Sequence, residues 1–168
     1  MFNKFIPSIF TLTNLLLGFL ALIYTMEGRF NLAASLILIS VVLDGLDGKI
    51  ARKLDATSNF GKELDSLSDL VSFGVAPAIL VYAFALQPNL GILGLFMAVF
   101  FALCGAIRLA RFNVLNITTH FLGVPITMAG GLMSLFILLG ALLPTWFFAV
   151  ITVVLAFLMI SSIKVPKY

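Results

Sequence analysis

Charge is the scarcest commodity in this chain. Asp, Glu, Lys and Arg make up 10% of its 168 residues, whereas 62% are hydrophobic, against about 25% and 45–50% in a soluble domain. Mean hydropathy is +1.19. One small core cannot hide so much apolar surface, so a water-soluble globule is excluded, as are a disordered chain and a collagen-like fibre. The period-two alternation of an outer-membrane barrel is also missing. Helices are the other way to cross lipid with every backbone group satisfied. The one cysteine, Cys104, excludes an intrachain disulfide and a cysteine metal site. Within its apolar run it reads as small core packing. The one histidine, His120, excludes a histidine cluster and reads as an ordinary loop residue. No small-x-small site follows the first apolar run, and only Lys4 precedes it. That run therefore reads as a retained helix rather than a cleaved signal peptide.

The hydrophobic pattern predicts an all-α integral membrane protein with six transmembrane helices, each needing about 20 residues for about 30 Å of hydrocarbon. The first runs from Pro7 to Met26 and the second from Asn31 into the charged stretch Asp44 to Asp55. The third runs from Ser58 to Leu86, where Gln87-Pro88-Asn89 is expected to break it. The fourth covers Leu90 to Phe112. The fifth follows a loop from Asn113 to Leu122 and ends near Pro144, and the sixth ends near Ile163. Neither a linker nor an internal repeat divides the chain, so residues 1–168 read as a single membrane domain. With six spans both termini share one side. Lys4, Lys49, Arg52, Lys53, Lys62, Arg108, Arg111, Lys164 and Lys167 fall on it, and of the ten basic residues only Arg29 lies opposite. The positive-inside rule makes that side cytoplasmic. The expected location is the cell membrane, multi-pass, with the acidic site facing the cytoplasm.

The few acidic residues are not scattered. Asp44 and Asp47 are three apart and Asp65 and Asp69 four apart, spacings that put each pair on one helix face. At 1.5 Å per residue, Asp44 sits about 13 Å inside the end of helix two at Lys53, and Asp65 and Asp69 about 10 and 16 Å along helix three from Ser58. A short connection makes the two helices antiparallel neighbours, so the pairs reach similar depth and can face each other. Each Asp at a helix centre costs about 2.5–3.5 kcal/mol, and like charges add to that. A salt-bridged cluster with Lys49, Arg52 and Lys62 is one compensation. Hard divalent cations, Mg²⁺, Mn²⁺ or Ca²⁺, are the other, since they take oxygen ligands. Four carboxylates could hold two ions side by side, an arrangement used for displacement at phosphorus. Gly48 and Ala51 lie about 40° and 20° around the helix from Asp44, and Gly61 lies one turn before Asp65. These small residues either leave room for a bulky ligand or permit close helix packing. Arg52 at the mouth either pairs with a phosphate or anchors the cytosolic end. A divalent-cation transporter would also use midplane carboxylates, but it leaves the small residues unexplained and calls for an inverted repeat.

The run Asp44-x-x-Asp47-Gly48-x-x-Ala51-Arg52, eight residues, then Gly61-x-x-x-Asp65-x-x-x-Asp69 resembles the signature of the CDP-alcohol phosphatidyltransferases at every position. The likeness extends to the six-helix layout. It implies transfer of a phosphatidyl group from a CDP-linked lipid to an alcohol with release of CMP. It also implies divalent metal, Mg²⁺ or Mn²⁺ and two ions, on Asp44, Asp47, Asp65 and Asp69. Gly48, Ala51, Arg52 and Gly61 would line the CDP pocket, Asp69 would act as base, and the protein would be a homodimer with no nucleic-acid partner. Three segments, Thr11-Leu-Thr13-Asn14-Leu-Leu-Leu-Gly18, Gly105-Ala-Ile-Arg108-Leu-Ala-Arg111-Phe112-Asn113 and Phe121-Leu-Gly123-Val-Pro125, are similar to those of membrane-embedded family members that take L-serine as acceptor and CDP-diacylglycerol as donor. Arg108 and Arg111 share a face near the cytosolic end of helix four, and a guanidinium can grip a carboxylate with two prongs. The alternative is that both arginines are cytosolic anchors or bind lipid headgroups. Asn14 would hydrogen-bond a polar group of the ligand or a neighbouring helix. Glycerol 3-phosphate or an inositol phosphate is the alternative acceptor.

Overall fold

The computed structural model describes residues 6–53, 58–115, 120–162 and 164–166, with side chains described for 8–46, 58–114, 123–140 and 142–162. Apolar runs become helices because nothing else satisfies their backbone without water. Helix α1 spans Ile6–Met26 and α2 spans Phe30–Lys53. Between them the chain reverses at Gly28, whose φ is +74°. Arg29 N–H donates to Tyr24 O at 2.8 Å and Gly28 N–H to Thr25 O at 3.0 Å, the two bonds of a glycine-closed helix end. This tight reversal packs α1 and α2 side by side over their length.

The third rod is continuous from Asn59 to Leu90 but not uniform. It comprises α3 (Asn59–Asp69), a π-helical turn (Leu70–Val75), α4 (Ala76–Val81), a second π turn (Tyr82–Leu86) and α5 (Gln87–Leu90). Ser58 caps its start, its hydroxyl accepting from Gly61 N–H at 3.0 Å. The expectation that Gln87-Pro88-Asn89 breaks this helix is corrected. The wider π turn just before Pro88 makes room for a ring that would collide with the preceding turn of an α-helix. The rod ends at Gly91, where φ is +52°.

Helix α6 spans Ile92–Leu115, α7 Ile126–Leu138 and α8 Thr145–Ile160. The fifth predicted span stops earlier than expected, at Leu138, and a 3-10 turn (Gly140–Leu142) leads into α8. The stretch read as pure loop holds a short strand, β1 (His120–Leu122), antiparallel to β2 (Lys164–Pro166), so an otherwise all-helical protein carries a two-stranded clasp.

The α1–α2 pair, the third rod and α7 meet around the first π turn, while α6 packs on α8. A Cβ on Gly130 of α7 would lie 2.8 Å from Phe73 Cα, so only glycine lets α7 touch that turn. Phe73, Phe101, Phe148, Met133 and Met159 fill the centre. Outward faces stay apolar, with Leu12, Leu16, Phe19, Phe96, Trp146 and Phe157 all exposed. Helical hydroxyls fold back onto their own carbonyls, as in Thr25 to Ala21 O (2.7 Å) and Thr152 to Phe148 O (2.6 Å), which satisfies them without water. Ser8–Met26, Asn59–Leu90 and Ile92–Val114 are long and apolar enough to cross a membrane, and Phe30–Leu46, Ile126–Leu138 and Thr145–Ile160 are shorter apolar helices. Apart from the β1–β2 clasp, the protein is thus a helical, membrane-type bundle.

Candidate metal and transfer site

Asp44 enters from α2, and Asp65 and Asp69 enter from α3. The antiparallel packing implied by their spacing brings the three together: each offers a carboxylate oxygen, and these oxygens lie within 4.8 Å of one another. Asp69 is buried, while Asp44 and Asp65 are half-buried. An all-oxygen, all-anionic set at this separation fits a hard divalent cation, which takes carboxylates without needing nitrogen or sulfur. Like charges packed this closely are otherwise repulsive, so these three carboxylates suit a divalent cation. The side chains of Asp47, Gly48, Ala51 and Arg52 lie outside the described residues, although the α2 backbone runs through them. Gly61 sits in the first turn of α3, where among the described residues an added Cβ would meet only the capping Ser58 hydroxyl, at 3.1 Å.

Arg108, on α6, is buried with its charge within reach of Asp69. Its guanidinium carbon lies 5.8 Å from the Phe112 ring centroid. Among the described residues its Nε is buried without a hydrogen-bond partner, an expensive state for a donor. Arg111 is on the same helix but differently employed: its Nη1 donates to Ile160 O at 3.0 Å, closing the C-terminal end of α8, where a cation also suits the helix dipole. Asn113 ties α6 to α3 through Ser66 Oγ at 3.0 Å.

Beneath the carboxylates lies a polar layer that sequence reading only partly anticipated. Asn14 is fully buried. Its Nδ2 points at Asp69 Oδ1, 3.5 Å away, and its Oδ1 accepts from Ser40 Oγ. Ser72 Oγ donates to Asn14 O at 3.0 Å and Ser68 Oγ to Thr11 O at 3.0 Å. Ser40, Ser68 and Ser72 were missed. The available signal was the placement of Ser68 and Ser72 beside and one turn beyond Asp69. Of the residues expected to meet a ligand, the structure gathers Asp44, Asp65, Asp69 and Arg108, and it places Asn14 behind Asp69 and Arg111 at the end of α8. His120 lies in β1, and its side chain is outside the described residues.

Comparison with known proteins agrees with this geometry. The family model for the CDP-alcohol phosphatidyltransferases matches residues 4–161. The chain is 39% identical over 166 residues to the CDP-diacylglycerol–serine O-phosphatidyltransferase of Bacillus subtilis (strain 168), covering 98% of this chain and 92% of that protein. It is 42% identical over 159 residues to the protein of the same name from Methanocaldococcus jannaschii, covering 94% and 72%. An archaetidylserine synthase from Methanothermobacter thermautotrophicus is 39% identical over 165 residues, covering 96% and 70%. With a family match spanning nearly its whole length and relatives aligned across most of theirs, the chain belongs to the CDP-alcohol phosphatidyltransferase family.

Proposed function

We propose that the protein transfers the phosphatidyl group of CDP-diacylglycerol to the hydroxyl of L-serine, giving phosphatidylserine and CMP. The observation that carries this reading is the convergence of Asp44, Asp65 and Asp69, together with a buried Arg108 whose charge acts on Asp69 and whose Nε has no partner among the described residues. The relatives named as serine phosphatidyltransferases support the choice of acceptor. The serine oxygen attacks the phosphatidyl phosphorus. The bond from that phosphorus to the bridging oxygen breaks, and CMP departs with the bonding pair. Asp69, buried at the base of the cluster, accepts the proton that the serine hydroxyl gives up, because a neutral hydroxyl is a poor nucleophile. Arg108 grips the serine carboxylate, and Arg111 contributes at most a second prong, having spent one N–H on Ile160. Gly48, Ala51, Arg52 and Gly61 line the CDP side.

Asp44, Asp47, Asp65 and Asp69 would hold two divalent ions, Mg²⁺ or Mn²⁺, which when bound supply charge neutralisation at the pyrophosphate. In this reading residues 1–168 form one domain of six spans with cytosolic termini. The protein is a homodimer in the cell membrane, and its site opens to cytosolic serine. The deciding experiment measures CMP release from CDP-diacylglycerol by purified protein with Mn²⁺, offering serine, glycerol 3-phosphate or inositol phosphate. Turnover with serine alone is expected. Turnover with a phosphorylated alcohol but not serine would overturn the acceptor assignment.

A further inference from the structure

Thr11, Asn14 and Gly18 recur at i, i+3 and i+7, one stripe along α1. Each meets the helix that carries Asp69. The Thr11 and Asn14 carbonyls accept the Ser68 and Ser72 hydroxyls, both at 3.0 Å. At Gly18 an added Cβ would lie 2.7 Å from Ser72 Cα, so the backbones touch there. From the other side α2 contributes Ser40, whose hydroxyl reaches both Asn14 O (3.3 Å) and Asn14 Oδ1. The amide orientation follows from donor and acceptor inventory. A carboxylate only accepts, so the amide group facing Asp69 must be the NH₂. The amide oxygen then faces Ser40, whose hydroxyl donates to it.

We propose that Asn14, held from behind by Ser40, is a positioning residue that clamps Asp69 Oδ1 and so fixes the orientation of that carboxylate within the cluster. The inference rests on the role given to Asp69 above. It moves Asn14 out of the serine-binding set, because Asn14 has no exposed surface and both ends of its amide are engaged. A neutral amide suits the task. It fixes the rotamer of a carboxylate without cancelling the charge that a metal ion or a proton must meet, which a lysine there would do.

The test uses full-length protein in detergent, with Asn14→Ala, Ser40→Ala and, as a control on the other face of α1, Thr13→Ala. Two readouts are taken: steady-state CMP release, and Mn²⁺ binding by electron paramagnetic resonance with the metal alone. Losing a partner that orients a ligand or base costs about 10- to 100-fold. Asn14→Ala should therefore lower kcat by that factor, weaken Mn²⁺ binding by about 10-fold, and leave the KM for serine within about threefold. Ser40→Ala keeps the amide but frees its rotation, so it should show the same pattern at about fivefold, the size of one neutral hydrogen bond. It also stands in should Asn14→Ala fail to fold. Thr13→Ala should match the unsubstituted protein. A rise of about tenfold or more in KM for serine, with kcat and Mn²⁺ affinity intact, would make Asn14 a serine contact and overturn the proposal. Unchanged kcat in Ser40→Ala and Asn14→Ala would also overturn it. If the unsubstituted protein releases no CMP with serine, the proposed function fails instead, and Mn²⁺ binding still decides the role of Asn14.

Discussion

Arg108 offers the sharpest quantitative test of the acceptor site. It is only 8% exposed, lies within reach of the charge of Asp69, and buries an Nε that has no partner among the described residues. A buried unsatisfied donor costs about 1–3 kcal/mol. A ligand carboxylate that meets this nitrogen removes that cost and gains a charge-assisted hydrogen bond worth about 1.5–3 kcal/mol. Replacing Arg108 with alanine should therefore raise the KM for serine about 10- to 150-fold. The KM for CDP-diacylglycerol should move by no more than about threefold, since donor recognition is assigned to other residues. Arg108→Lys keeps a charge but loses the planar fork, and should fall between. Because the free enzyme holds the guanidinium in an unfavourable state, Arg108→Gln should cost little thermal stability, whereas stabilisation by added serine should vanish. The assay is a serine titration of CMP release at saturating lipid nucleotide and Mn²⁺, with melting followed with and without serine. Equal increases in both KM values, or an unchanged serine KM, would refute the argument.

Four further outcomes are expected. Excess EDTA should abolish CMP release and Mg²⁺ or Mn²⁺ restore it. Asp44→Asn and Asp65→Asn should lose metal and lipid-nucleotide binding together, while Asp69→Asn retains lipid-nucleotide binding and loses turnover, read by titration beside single-turnover rates. In a Cys104→Ala background, an impermeant thiol reagent outside intact cells should label a cysteine placed at Glu27 and spare one at Lys53; the reverse would invert the proposed topology. Gly18→Val should lower the melting temperature and kcat together, since its Cβ would lie 2.7 Å from Ser72 Cα and overpacking costs about 1–3 kcal/mol. A melting temperature equal to that of the unsubstituted protein would show that α1 is not held there.

What could be read without coordinates was whatever depends on local periodicity and on the cost of charge in lipid. Scarce charge and long apolar runs determined a helical membrane protein. The three- and four-residue aspartate spacings on two adjacent helices determined that Asp44, Asp65 and Asp69 could meet, and they do. Helix ends were readable where a glycine with positive φ punctuates the chain, as at Gly28, but not at Pro88, because a π turn depends on packing around it and leaves no mark in composition. Single-residue roles were the least legible. Arg108 and Arg111 look alike three residues apart, yet one is buried where its charge acts on Asp69 and the other closes α8. Asn14 looks like a ligand contact, yet it is enclosed between Ser40 and Asp69. Those differences arise from which neighbouring helix each side chain meets. Spacing places a residue on a face of its own helix, and only tertiary packing decides what that face touches.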